Sequence, residues 1–291
     1  MKEINIDEKL AGQKMMRCLE RYLSNAPKSF LYKMLRKKNI TLNNSKATGD
    51  EKLKCGDTIK IFFSDETFEK FAADNNRTAN DDYYSRIYRP LDIIYENSDV
   101  IFINKPSGML SQKAKPEDVS LVEYLIAHLI HKGELNAGDL ASFKPGICNR
   151  LDRNTSGIVA AGKTTKGLQQ LSEAFKQRIL GKYYLCIVKG NVDKRALIKG
   201  YLYKDNKTNK VTISRTETKD SLPIETEYIP VCSNGNVTLL KIHLLTGRSH
   251  QIRAHLASIG HPLIGDYKYG SQSVNDAFNR QYKVKDQMLH S

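Results

Sequence analysis

The stretch Cys148-Asn149-Arg150-Leu151-Asp152-Arg153-Asn154-Thr155-Ser156-Gly157-Ile158-Val159 constrains this chain more than any other. A polar, charged turn runs straight into the apolar Ile158-Val159-Ala160-Ala161, so a single acid is carried immediately before a buried strand. Asp152 lies between Arg150 and Arg153, whose opposite charge favours the carboxylate, and the Asn-Thr-Ser-Gly turn offers hydroxyl and backbone donors to fix its direction. A solvated surface ion pair at a turn has the same local pattern and is the commoner use of it. Asp152 is the candidate nucleophile.

At 291 residues the chain is long enough for one large domain and a small one, with a sizeable core. Charge narrows the partners. The 46 basic and 32 acidic residues leave a net +14, which favours an acidic partner. Nucleic acid comes ahead of membrane, because no basic amphipathic anchor and no run of membrane-spanning length stands out. A cytoplasmic protein is expected. Five cysteines, Cys18, Cys55, Cys148, Cys186 and Cys232, are odd in number, widely spaced and without a Cys-x-x-Cys pair, so neither a disulfide framework nor a zinc site is indicated.

Residues 1–60 hold 14 basic and 7 acidic residues, half of the net charge in a fifth of the chain. Met15, Leu19, Tyr22 and Leu23 form the apolar stripe of a first helix. After Pro27, Ser29 reads as the N-cap of a second, with Leu31, Met34 and Leu35 on one face and Lys33, Arg36 and Lys37 on another. Those three cations suit a phosphate backbone, although charged helix faces are usually just solvated. Ile40-Thr41-Leu42 enters a turn at Asn43-Asn44, and Gly56-Asp57 turns into a strand from Thr58. Residues 63–86 reverse the charge. Six acids fall between 65 and 82 (Asp65, Glu66, Glu69, Asp74, Asp81 and Asp82) with little periodic apolar content, which reads as an acidic linker.

The large domain is expected over 87–291. Ile93-Ile94-Tyr95 and Val100 to Ile103 read as short strands, followed by the Asn104-Lys105-Pro106-Ser107-Gly108 turn and a helix capped by Ser120. His128 and His131 on that helix have no third ligand nearby and are read as structural. Lys166 to Phe175 is helical in pattern, and Lys182 to Val188 is a strand whose adjacent Tyr183 and Tyr184 point to opposite faces. Glu225 to Val231 and Val237 to Leu244 read as an antiparallel pair across Asn234-Gly235-Asn236, with Pro230 at an edge or bulge.

Ser249 and Gly260 bound a helix with Ile252, Leu256 and Ile259 on its buried face. His250 and Arg253, three apart, can aim at one point. His250, His255 and His261 invite a metal reading, but the spacing is not that of a zinc protease and an arginine in their midst repels a cation. No metal is expected. The polar tail from Ser271 is open between a docked and a mobile arrangement.

The Arg150-Leu151-Asp152 string with Thr155-Ser156-Gly157 resembles the central motif of the pseudouridine synthases that modify ribosomal RNA, a family that often has His where Asn149 stands. The Asn-Lys-Pro-Ser-Gly turn, Lys182-Tyr183-Tyr184-Leu185 and the 245–266 stretch are similar to further motifs of that family. Residues 1–62, through the helix from Ser29 and Gly56-Asp57, resemble the small RNA-binding fold named after the fourth ribosomal small-subunit protein. The resemblance implies an α+β protein: a mixed, mainly antiparallel catalytic sheet behind a small N-terminal RNA-binding module. It implies Asp152 as nucleophile, Arg253 in a salt bridge to it, Tyr184 stacked on the uracil, and Arg150 beside a flipped nucleotide. It implies no cofactor, and RNA as the partner, 23S ribosomal RNA ahead of tRNA, with no protein partner and a monomer. One carboxylate is too few for ordinary glycoside hydrolysis, but an isomerisation that keeps the base trapped needs only one. The competing readings are an RNA-binding assembly factor without catalysis and a nucleoside hydrolase, which requires a second acid.

Overall fold

The computed structural model describes residues 1–72, 77–141, 143–205 and 207–291, with the backbone alone over residues 77–81 and at 141. The chain forms two compact units. One comprises Met1–Ile103, Gln112–Asn149 and Val159–Phe175, and the other Asn104–Ser111, Arg150–Ile158 and Lys176–Ser291.

The first unit begins with β1 (Lys2–Asn5), α1 (Met15–Tyr22), α2 (Lys28–Arg36), β2 (Ile40–Leu42), β3 (Ser45–Lys46) and β4 (Thr58–Ile61). The strands pair antiparallel in the order β1-β4-β2-β3. Asn43 and Asn44, at φ 50° and 62°, close the β2–β3 hairpin with the positive dihedrals a two-residue turn demands. Met15, Leu19, Leu31, Leu35, Ile40 and Ile59 are buried together in its core, while Lys33, Arg36 and Lys37 stay exposed. Helix α2 starts one residue before the expected Ser29 cap. Pro27, at φ −57°, takes the cap position, since its ring already fixes a dihedral close to the helical value.

The stretch expected as a linker contains α3 (Asp65–Phe71) and α4 (Arg77–Ile87); residues 73–76 lie outside the described residues. Ser64 caps α3 by accepting the Thr67 N–H at 3.3 Å. Two aromatics outweigh the acids around them. The Phe71 ring lies 4.5 Å from that of Phe30, and Phe68 5.9 Å from Tyr22, so α3 packs on the N-terminal helices.

The rest of this unit is built around β5 (Ile93–Glu96), β6 (Val100–Lys105), α5 (Leu121–His131), β7 (Gly146–Ile147), β8 (Gly157–Gly162) and α6 (Thr165–Lys176), with sheet order β5-β6-β8-β7. Glu123 reaches back to the Ser120 N–H at 3.2 Å and completes the box that starts α5. His131 stacks on Tyr88 at 4.0 Å, and His128 is buried, its imidazole pushed down by desolvation. Lys163 is bound by Glu96 at 2.7 Å and Glu134 at 2.5 Å beside a cavity of about 1220 Å³.

The second unit contains β9 (Tyr183–Lys189), β10 (Ala196–Lys204), β11 (Val211–Ser214), β12 (Leu222–Ser233), β13 (Val237–Leu244), α7 (Gln251–Ser258), α8 (Gln272–Tyr282) and β14 (Leu289–His290). Its strands form one antiparallel sheet ordered β11-β10-β12-β13-β9-β14. Pro230 sits in an internal strand, and a register shift between Pro230 and Cys232 absorbs its missing N–H. The tail docks: β14 adds to β9, with Leu289 opposite Cys186. Among the described residues no helix is long and apolar enough to cross a membrane.

His255 on α7 is 2% exposed and bonds Thr226 Oγ1 of β12 at 3.0 Å. Burial pushes its imidazole down to about 4, against 6.5 for the free group. Between those values the unfolded chain binds a proton that the folded chain does not, so stability is full above pH 6.5 and falls as pH drops to 4. The total is on the order of 3 kcal/mol. Urea unfolding at pH 7 and pH 4.5 is expected to show this loss, and His255→Gln to flatten it. An unchanged slope in the variant assigns the acid sensitivity to another group.

Candidate active site

Asp152 stands on the loop between β7 and β8, and that loop is clamped on both sides of it. The buried Ser111 hydroxyl accepts the Leu151 N–H at 3.1 Å and donates to the Leu151 carbonyl at 2.7 Å. On the other side the Lys105 ammonium, with its residue wholly buried, donates to the carbonyls of Arg153 at 3.1 Å, Pro106 at 2.9 Å and Met109 at 2.9 Å. Desolvation pushes Lys105 down to about 8, against the pull of Asp152 and Asp286. The Asn-Lys-Pro-Ser-Gly turn is thus tied to the acid's loop through one buried lysine.

The C-terminal strand supports the same loop. Ser156 and Ser291 exchange a bond through the Ser291 N–H at 2.9 Å, the Ile158 N–H donates to the Ser291 carbonyl at 3.1 Å, and Gln287 donates to Thr155 Oγ1 at 2.6 Å. Gly157 is at φ 118°, and a Cβ there would lie 2.4 Å from the Ser291 backbone. The glycine of the Thr-Ser-Gly motif is therefore required twice, by its dihedral and by the strand laid against it.

Asp152 does not pair with the arginines that flank it in sequence. Arg153 turns away to donate from Nε to the Gly108 carbonyl at 3.1 Å, and Arg150 is exposed. A turn closed by the Thr155 N–H on the Asp152 carbonyl sends neighbouring side chains in different directions, which the linear spacing does not reveal. The cation comes from α7. Arg253 Nη1 donates to Asp152 Oδ2 at 2.9 Å, and His250 Nε2 lies 3.8 Å from the same oxygen, so these two residues do converge on one point.

Two features aim α7. Helix capping falls to His250, at φ 54°, rather than to Ser249, a left-handed dihedral that histidine tolerates better than bulkier residues. The next residue, Gln251, is 2% exposed; its amide donates to Glu225 O at 3.1 Å and Thr226 Oγ1 at 3.0 Å, while its oxygen accepts the Arg248 N–H at 3.0 Å. That pins the start of the helix to β12. His250 is held by Tyr269: the Tyr269 hydroxyl accepts the Val211 N–H at 3.0 Å and shares a hydrogen bond with His250 Nδ1 at 2.8 Å. Burial pushes His250 below its ordinary value against the upward pull of Asp152.

Arg253 is the most tightly held of the group. Burial opposes its charge, but Asp266 and then Asp152 raise it above the ordinary arginine value. The Tyr269 ring lies 5.1 Å from its guanidinium carbon. Tyr184 of β9 is buried; burial lifts its phenol, Asp152 lifts it further, and a hydrogen bond to Ser291 opposes both. Sequence reasoning missed Ser111, Gln251, Asp266 and Tyr269. The other histidines weighed as ligands go elsewhere, His255 to Thr226 and His261 Nδ1 to the Lys189 carbonyl at 2.9 Å. Among the described residues no three His, Cys, Asp or Glu side chains gather as a metal would need.

An acid held 2.9 Å from an arginine, with a buried phenol and an imidazole beside it, is an arrangement suited to nucleophilic attack. The family described as RNA pseudouridylate synthase matches residues 99–258. The chain is 28% identical to ribosomal large subunit pseudouridine synthase C of Vibrio cholerae, over 99% of this chain and 86% of that one. It is 32% identical to an uncharacterized RNA pseudouridine synthase of Mycoplasma genitalium over 91% and 79%, and 31% identical to ribosomal large subunit pseudouridine synthase D of Borreliella burgdorferi over 87% and 75%. Among solved structures, human RNA pseudouridylate synthase domain containing 4 shares the fold at a TM-score of 0.55 and 18% identity, covering 73% of this chain and 86% of that one. Matched over more than half its length, with the acid and arginine of the site inside the matched region, this chain belongs to the RNA pseudouridine synthases, isomerases that act on RNA.

Proposed function

We propose that this enzyme converts specific uridines of 23S ribosomal RNA to pseudouridine, with Asp152 as the nucleophile. The observation that carries the reading is Asp152 Oδ2 held 2.9 Å from Arg253 Nη1, on a loop clamped by Ser111 and Lys105. Asp152 attacks the target uridine at carbon 1′ of the ribose or on the uracil ring. The N1–C1′ bond breaks, its electron pair leaves with the base, and the base turns within the site. Carbon 5 then bonds carbon 1′, the acid is released, the proton of carbon 5 is lost and N1 takes one up. Nothing is oxidised or reduced, and no cofactor is consumed.

Tyr184 stacks on the uracil that Arg253 and Asp152 act upon, and exclusion of water keeps the free base from escaping. The target nucleotide leaves its helix to reach the acid, and the exposed Arg150 beside it holds the flipped strand. Residues 1–62 form an RNA-binding module joined through 63–86 to the catalytic part at 87–291, with Lys33, Arg36 and Lys37 on its exposed α2 face. A net charge of +14 favours such a partner. The enzyme works as a monomer in the cytoplasm. Large-subunit RNA is the favoured substrate because relatives spanning nearly the whole chain are named for it.

The test is pseudouridine mapping of all RNA classes from cells lacking the protein, with and without the wild-type gene restored. Positions in 23S RNA are expected to disappear and return. Loss confined to tRNA refutes the substrate, and no change in any RNA refutes the reading.

A further inference from the structure

We infer that Asp266 is the positioning residue of this active site: it fixes the guanidinium of Arg253 so that one N–H, Nη1, is presented to Asp152. The inference rests on the reading of Asp152 as nucleophile and adds a residue to it.

Asp266 is 1% exposed, and its carboxylate accepts four N–H groups. Oδ2 takes Arg253 Nε at 2.7 Å, and Oδ1 takes Arg253 Nη2 at 2.9 Å, a fork-on-fork pair that fixes both the plane and the rotation of the guanidinium. Oδ1 also accepts the backbone N–H of Lys268 at 2.9 Å and of Tyr269 at 3.2 Å. These two bonds hold the carboxylate itself, so the guanidinium is fixed to a group that cannot swing. With Nε and Nη2 committed to Asp266, the remaining edge faces Asp152 at 2.9 Å. The same turn carries Tyr269, whose hydroxyl meets His250 Nδ1 at 2.8 Å, so one buried carboxylate organises both groups that point at Asp152 Oδ2.

Charge matters as much as direction. Without Asp266 a buried arginine has Asp152 as its sole carboxylate partner among the described residues and is free to fold over it as a bidentate clamp. Such a clamp occupies both oxygens of an acid that must attack. Asp266 satisfies the guanidinium on two of its N–H groups and leaves Asp152 Oδ1 outside the arginine's hydrogen bonds.

The experiment measures kcat and KM by release of tritium from carbon 5 of uridine, in large-subunit RNA from cells lacking the enzyme. Wild type is compared with Asp266→Asn, Arg253→Met, the double variant and Asp152→Asn. Asp266→Asn is expected to lower kcat by roughly 100-fold, the scale of a misplaced catalytic group, with KM for the RNA unchanged. On the Arg253→Met background it is expected to cost no further kcat, because its effect passes through that arginine. A purely structural role moves KM and adds to the Arg253→Met loss of kcat per folded enzyme, and that outcome overturns the inference. Should Asp266→Asn not fold, Asp266→Glu keeps the charge and displaces the carboxylate; a fall in kcat supports positioning, and wild-type kcat overturns it. Full kcat in Asp266→Asn beside an inactive Asp152→Asn refutes the positioning role alone, whereas an active Asp152→Asn refutes the nucleophile and the inference with it.

Discussion

Asp152→Asn is expected to lower pseudouridine formation by about 10⁴-fold or more, the scale on which a covalent nucleophile acts. The variant is isosteric, keeps one side-chain oxygen for Arg253 Nη1, and leaves the loop contacts of Leu151 and Arg153 in place. RNA binding and the thermal midpoint should therefore stay close to wild type, which separates chemistry from folding. Single-turnover conversion with enzyme in excess over RNA is the measurement, since product release then plays no part. Activity within tenfold of wild type sinks the assignment and moves the nucleophile elsewhere. The expectation is strict because, among the described residues, the only other acid paired with Arg253 is Asp266, which is 1% exposed and already accepts four N–H groups.

Asp152 and Arg253 were singled out together because the runs around them resemble pseudouridine synthase motifs, and the structure pairs the two side chains at 2.9 Å. Their spacing also made His250 and Arg253 point together, and the structure brings both to Asp152 Oδ2. Other parts were not readable locally. Asp266 lies beyond the end of α7, and its role appears only when the 266–269 turn folds back on that helix, 13 residues from the arginine it holds. Ser111 and Lys105 act on Asp152 through backbone carbonyls and amides some 40 to 50 residues away, contacts that leave no pattern in side-chain chemistry.

The fold divides in the same way. The helical stripes of α1 and α5 and the alternation of β9, β12 and β13 are periodic over enough residues to be read directly. Strand β1 buries one of its four residues, and β14 has two residues in all, so neither carries a period. Their pairing with β4 and β9 comes from the sheets they join. In 63–86 the acids masked Phe68 and Phe71, three apart on one helical face, and partial burial of those rings against Tyr22 and Phe30 holds the helix despite its polar composition. Pro230 is tolerated inside β12 through the bulge that its sequence position suggested.

Arg253→Met is expected to be the most destabilising change at the site, by roughly 3–5 kcal/mol, because it strips two donors from a buried carboxylate and leaves its charge uncompensated. Asp266 keeps the Lys268 and Tyr269 N–H groups, which limits the loss without offsetting the charge. Adding Asp266→Asn should recover part of that stability, since removing both members of a buried pair costs less than removing one. Arg253→Lys separates the two roles of this residue. A lysine retains the positive charge and should melt closer to wild type, but a single ammonium cannot reproduce the fork to Asp266 and the Nη1 bond to Asp152 together. Its kcat is therefore expected to fall by on the order of 10²- to 10³-fold, the usual consequence of losing one aligned donor. Thermal melts of the three variants beside single-turnover rates provide the check. If Arg253→Lys turns over like wild type, charge alone suffices at this position and the geometry of the guanidinium has no part in aiming Asp152.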